Sequence, residues 1–375
     1  MDAIGLLGEL ISIDSVFQRE KRIGEFLEGR LRELGFSTSR QGIAPDRFNV
    51  LAGREGEGEC LMLYGHMDTV PPYGKWESDP FRMREDGDRL YGLGSWDMKS
   101  GIGAILKAVE KTGRSVKVAF GCDEENISEG AHAMVRSGFM DDVSAVVVAE
   151  SGLNEKGISG PGMITLGRRG RAVYSFEVEG RSAHGGDVRS GLNAVTEASR
   201  LAIALEEMNP RLKRHELLPP QTQFVRKLSG ETDSLSIPER AYLELDRHLV
   251  PPDTPEKALE GIEAEIAKMK GEGTLRAGVK AYIKPRKTPY LAPYVTPRDD
   301  PHVVRMSRIV RERLGSEPVY NYALSVADEN ILATKKPVIT IGTSGANEHA
   351  ANEWVSKKSY LDLIGVLGEF LSSRP

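Results

Sequence analysis

Four apolar runs of strand length constrain this chain most, because each gives way to polar groups that a core does not need. They are Cys60-Leu61-Met62-Leu63-Tyr64, Val116 to Phe120, Ala145 to Ala149 and Pro337 to Ile341. Continuous runs of this length, with helical patterns between them, predict strands buried on both faces of a sheet and helices packed against it. His66 and Asp68 follow the first run, Glu124 and Glu125 the second, Glu150 the third and His349 the fourth. In open α/β sheets the carboxyl ends of strands are where sites are built.

The rest of the pattern organises around that sheet. Asp2 to Ile13 and Val16 to Leu34 carry apolar residues at helical spacing, and Gly35 stops the second. A further helix is expected from Ser100 to Lys111. With 375 residues the chain exceeds one hydrophobic core, so two domains are expected. From about Gly167 the order becomes strand (Ala172 to Glu179), helix (Asn193 to Met208), strand (Gln221 to Leu228), strand (Arg240 to Leu249), helix (Pro255 to Lys270) and strand (Thr274 to Ile283). That is the split βαβ, ferredoxin-like order. Thr254 can cap the second helix and Pro255 fits its first turn. Helices from His302 to Leu314 and Ser359 to Leu371 then resume the first style. The expected fold is α/β: a discontinuous catalytic domain, residues 1–167 and 289–375, interrupted by an α+β domain at 168–288.

Several function classes drop out. A net charge of −5 gives no electrostatic case for nucleic acid or an anionic membrane. The basic runs Arg168-Arg169-Gly170-Arg171 and Lys284-Pro285-Arg286-Lys287 lack interleaved aromatics and are read as solvated surface. So are His132, His215, His248 and His302. No apolar stretch approaches the length of a bilayer span, and Met1 to Gly5 lacks the basic start of a secretory signal. Two cysteines, Cys60 and Cys122, are too few for a disulfide framework and sit in strand-like segments. A cytoplasmic, reducing location is expected.

The polar residues left over have a common chemistry. His66 and Asp68, at i and i+2, leave the same face of an extended segment. A neutral imidazole suits zinc and needs a carboxylate or carbonyl on its other nitrogen; spacing leaves open whether Asp68 or another group supplies it. Asp97 follows Gly92-Leu93-Gly94-Ser95 and precedes a helix, as an N-cap would, but a tight turn also suits a carboxylate bridging two cations. Of the neighbours Glu124 and Glu125, one could ligate a metal while the other serves as general base. Acids at three strand ends or turns and two histidines converge on one site.

These residues resemble the zinc-dependent family of aminoacylase, acetylornithine deacetylase, succinyl-diaminopimelate desuccinylase and glutamate carboxypeptidase, over nearly the whole chain. The motifs are Gly65-His66-Met67-Asp68-Thr69-Val70-Pro71, the stretch from Gly94-Ser95-Trp96-Asp97 to Gly101, Asp123-Glu124-Glu125, Gly180-Arg181-Ser182-Ala183-His184-Gly185 and His349-Ala350-Ala351-Asn352-Glu353. The resemblance implies two zinc ions, with cobalt or manganese able to share such ligands. Asp97 would bridge them, His66 and Glu150 completing one set and Glu125 and His349 the other. Glu124 would be the general base and Asp68 the acid that orients His66. The resemblance further implies that the inserted domain is a lid and dimerisation domain of a homodimer, that His184 donates to the oxyanion from the partner subunit, and that Arg247 holds a substrate carboxylate. Leu235 stands near where many relatives carry asparagine, a departure that bears on substrate or oxyanion contacts.

The expected activity is hydrolysis of the amide bond of an N-acyl amino acid, with a dipeptidase or carboxypeptidase as alternative. Barrel amidohydrolases are disfavoured, since their first strand needs His-x-His and this one reads His-x-Asp. A metal-free binding protein is the remaining class, and the full ligand set with its base argues against it.

Overall fold

The strand Glu57–His66 lies at the middle of a mixed sheet, between Arg114–Gly121 and Val143–Val148, with Val338–Thr340 beyond the latter. All four run parallel, so their carboxyl ends emerge along one edge. In the computed structural model, which describes residues 1–110, 112–232 and 234–373, antiparallel strands flank this parallel centre. Lys111, the end of one predicted helix, and Asp233 lie outside the described residues. Leu61, Leu63, Val116, Val118, Val146 and Val147 are fully buried or nearly so, as continuous apolar runs require when both faces are covered.

Helices complete the layers. Ala3–Ser12 opens on Asp2, whose carboxylate accepts from Gly5 N at 2.7 Å, and buries Leu6, Leu7, Leu10 and Ile11. Ser100–Val109 is buried almost all round, packed by Lys357–Ser372. Its approach to the sheet depends on Gly101: a Cβ there would stand 2.0 Å from the Ala149 carbonyl oxygen. Gly101→Ala is therefore expected to lower stability by about 1–3 kcal/mol. A thermal melt coinciding with that of the parent would show that the helix yields without cost.

Two compact units result: residues 1–167, 295–323 and 327–375 form the first, and residues 168–294 with 324–326 the second. Within the second, the strands order as Gln223–Ser229, Arg240–Leu249, Gly170–Glu179, Gly278–Ile283, all antiparallel. With helices Ala194–Glu206 and Pro255–Gly271 this is a βαββαβ unit. Asn193 caps the first helix through Val195 N and Thr196 N, and Thr254 caps the second through Lys257 N. Tyr174, Phe176, Leu243 and Leu245 meet Leu201, Leu205, Ile262 and Ile266 in its core.

Several expectations are corrected. The second helix begins at Lys21, not Val16. Val16 instead bridges to Thr69, with Phe17 N donating to Thr69 O at 2.9 Å and Thr69 N to Ser15 O at 3.0 Å. A long-range pairing outweighs the helical spacing there. The basic run at 168–171 is not solvated: Arg168 and Arg169 are buried, Arg169 donates to the carbonyls of Leu324 and Pro220, and Arg171 grips Asp246. In the second run Lys284 pairs with Glu244 at 2.6 Å and Arg286 donates to Thr288. The four histidines are half-buried and not simply solvated. His302 lies between Glu59 and Asp300 with its side chain 13% exposed, and burial together with Arg169 pushes His248 down to about 4.

Candidate active site

His66 ends its strand fully enclosed. Its Nδ1 lies 2.9 Å from the backbone carbonyl of Asp68, so that carbonyl, and not the Asp68 carboxylate at 3.8 Å, takes the Nδ1 proton. The Asp68 carboxylate turns to the neighbouring strand end, accepting from Glu124 N at 3.3 Å and Glu125 N at 3.0 Å. One residue thus holds the imidazole with its backbone and the paired glutamates with its side chain. With Nδ1 as donor, a neutral ring presents a lone pair at Nε2. That atom faces Asp97 Oδ1 at 3.1 Å and Glu150 Oε2 at 3.2 Å.

Asp97 projects from a tight turn, Ser95–Lys99, entered through Gly94 at a φ of 72°. Its carboxylate is two-sided: Oδ1 faces His66, and Oδ2 lies 3.2 Å from His349 Nε2. His349 also lies 3.1 Å from Glu125 Oε2. The turn is held from outside. Trp96 donates its indole N–H to Thr343 O at 2.7 Å, and buried Lys99 donates to Ile13 O at 2.8 Å. The Glu353 carboxylate accepts from Gly94, Trp96 and Asp97 N at 2.7, 2.8 and 2.9 Å.

The Glu124-Glu125 segment is fixed through the residue before it. Asp123, at a φ of 77°, accepts from Arg47 at 3.0 Å, and Arg47 also forks onto Glu20 at 2.6 and 3.0 Å. Both acids are fully enclosed. Arg47→Met would leave two buried carboxylates without their cation, at an expected cost of about 3–5 kcal/mol. Urea denaturation checks this, and an unchanged midpoint would mean that the triad contributes nothing net.

Two donor sets emerge, His66/Asp97/Glu150 and Asp97/Glu125/His349, each with one ligand atom per residue and all within 4.8 Å of one another. These residues fit divalent cations. One Nε2 cannot donate to two carboxylates along separate lines, whereas a cation among the three can be served by all. Glu125 Oε1 is buried with no hydrogen-bond partner. The charge is also unbalanced: burial and Asp97 push Glu150 up to about 8, and Asp97 and Glu125 hold His349 at about 11. Burial pushes Glu124 well above the usual carboxylate range; Asp328, Glu125 and Glu150 add to the shift and His66 opposes it. A nitrogen and oxygen donor set suits zinc, cobalt or manganese.

Some of the surroundings were not legible in the sequence. Tyr64 donates to Asp328 behind the sheet ends, and Thr340 Oγ1 donates to Glu329 at 2.9 Å. Burial pushes Asp328 up to about 6. The only available signal was an acid pair beside an apolar segment. Glu353 stood inside the His349 motif without a role.

His184 and Arg247 belong to the second unit. His184 is exposed, and its Nδ1 accepts from Gly186 N at 3.1 Å, which makes Nε2 the donor. Arg247 is buried, with Nε and Nη2 donating to Gln221 Oε1 at 3.1 and 3.0 Å and Nη1 without a hydrogen-bond partner. Leu235 is 84% exposed.

Residues 62–373 match the sequence model of the family described as Peptidase family M20/M25/M40. An acetylornithine deacetylase from Vibrio campbellii is 32% identical over 204 residues, covering 52% of this chain and 51% of that protein, so the match spans about half of the relative. A succinyl-diaminopimelate desuccinylase from Cupriavidus pinatubonensis is 27% identical, with 93% of each chain covered. The fold is that of a tripeptidase from Staphylococcus aureus, with a TM-score of 0.78 at 19% identity over 98% of this chain and 96% of that one.

Proposed function

The chain belongs to peptidase family M20/M25/M40, and on that premise we propose that it hydrolyses the amide bond of a small N-acyl amino acid, as acetylated ornithine or succinylated diaminopimelate would present it. The observation that carries the reading is the pair of donor sets sharing Asp97, with Glu124 beside them. His66, Asp97 and Glu150 would hold one divalent cation and Asp97, Glu125 and His349 the other, zinc first and cobalt or manganese as substitutes. Such a pair, when bound, lowers the pKa of water and polarises a carbonyl oxygen.

The protein's own groups do the rest. Asp68 keeps the His66 ring oriented through its carbonyl and sets the Glu124 backbone through its carboxylate. A carboxylate oxygen of Glu124 accepts the proton of the attacking water and returns it to the amine nitrogen as that nitrogen departs. His184, contributed by the second subunit of a homodimer, donates from Nε2 to the oxyanion, and Arg247 holds the substrate carboxylate through its unused Nη1. In this reading the second unit is the lid and dimerisation domain. Its edge strand Gln223–Ser229 exposes Phe224 and Leu228, a suitable seam for a second copy. Cys60 and Cys122 are free, which supports a reducing, cytoplasmic location, and no described helix is long and apolar enough to cross a membrane.

The test is turnover by zinc-loaded protein on N-acetyl and N-succinyl amino acids against dipeptides. Hydrolysis of the acyl amino acids supports the deacylase. Turnover of dipeptides alone would transfer the assignment to the dipeptidase and carboxypeptidase alternative, which the family's description as peptidases keeps open. Zinc binding without any turnover would favour a binding protein.

A further inference from the structure

Glu353 lies four residues beyond His349, in the loop of a short hairpin whose strands Gly345–Ala346 and Trp354–Ser356 pair antiparallel. Its backbone carbonyl accepts from Gly92 N at 3.1 Å. Its side chain then continues along the same turn: Oε2 accepts from Gly94 N, and Oε1 from both Trp96 N and Asp97 N. Four successive bonds therefore tie the His349 hairpin to the turn bearing Asp97. The side chain is 2% exposed and approaches neither donor set as a ligand.

Resting on the functional reading above, we infer that Glu353 is a positioning residue that locks the two-sided Asp97 carboxylate in register with His349. Asp97 must present Oδ1 to His66 and Oδ2 to His349 at once, and a small rotation of the turn satisfies one at the expense of the other. Three N–H groups converging on one buried carboxylate oppose that rotation. Because Glu353 and His349 share a loop, the clamp fixes the distance between the two sets as well as the pose of the bridge.

Glu353→Gln preserves shape and volume but replaces one acceptor oxygen with an amide NH2 that must face a backbone N–H. Metal-free parent and variant are titrated with zinc by calorimetry, and each is melted without metal. The expected result is a loss of about ten- to a hundredfold in affinity for at least one of two zinc equivalents. Turnover should fall with KM little changed and recover in excess zinc. A residue needed only for folding would lower the melting temperature of the metal-free protein and leave zinc affinity of the folded fraction unchanged; that result overturns the inference. Two equivalents bound with parental affinity by both Glu353→Gln and Glu353→Ala would overturn it as well. A parent that binds two zinc ions but hydrolyses none of the substrates defeats the functional reading alone, and the affinity comparison still decides Glu353. A parent that binds no zinc defeats both.

Discussion

Glu124→Gln is expected to keep both cations and lose about a hundred- to ten-thousandfold in turnover, the usual span for removing a general acid–base group. The side chain belongs to neither donor set, so the substitution takes away a proton acceptor without taking away a ligand. Its backbone remains fixed, because Glu124 N and Glu125 N both donate to Asp68 whatever the side chain is. Substrate affinity should change little. Metal analysis of the dialysed variant together with steady-state kinetics checks the pair of outcomes, and parental turnover with two cations bound would remove Glu124 from the chemistry.

Asp97→Ala should act on the cations themselves. It is the one residue common to both sets, so its loss leaves His66 with Glu150 and His349 with Glu125. Bound zinc should fall from two equivalents to no more than one, and hydrolysis to background. Unfolding can be told apart from this. Asp97 helps push Glu150 upward, but without metal it also pairs with His66 and His349, which hold its own carboxyl below the usual range. The metal-free variant and parent are therefore melted side by side, and zinc binding is compared for the folded fraction of each. A variant that still binds two zinc ions with parental affinity would remove Asp97 as the bridge.

The layers of the fold were legible because burial leaves a simple mark. Residues such as Leu63, Val118 and Val147 sit in unbroken apolar runs, and the caps Asn193 and Thr254 are explicit. The acids and histidines at the strand ends stood out for the opposite reason, being polar where packing asked for nothing polar. What stayed hidden depends on partners distant in sequence. Nothing near Val16 announces its pairing with Thr69, and nothing near Arg169 announces the carbonyls it satisfies. Asp68 shows both sides of this: its type was informative, yet only the fold reveals that carbonyl and carboxylate divide the work. Arg47, Glu20 and Asp123 form a site-bearing triad from three segments that share no local pattern.

The two donor sets are spread unequally along the sequence. One donor set is complete within the first 150 residues, since His66, Asp97 and Glu150 all lie there. The other is closed only by His349, which follows the strand Val338–Thr340 on the far side of Val143–Val148. A growing chain released before residue 349 carries every donor for one cation and two of three for the other. The donors proposed for the two cations thus span very different lengths of chain, residues 66–150 for one and 97–349 for the other.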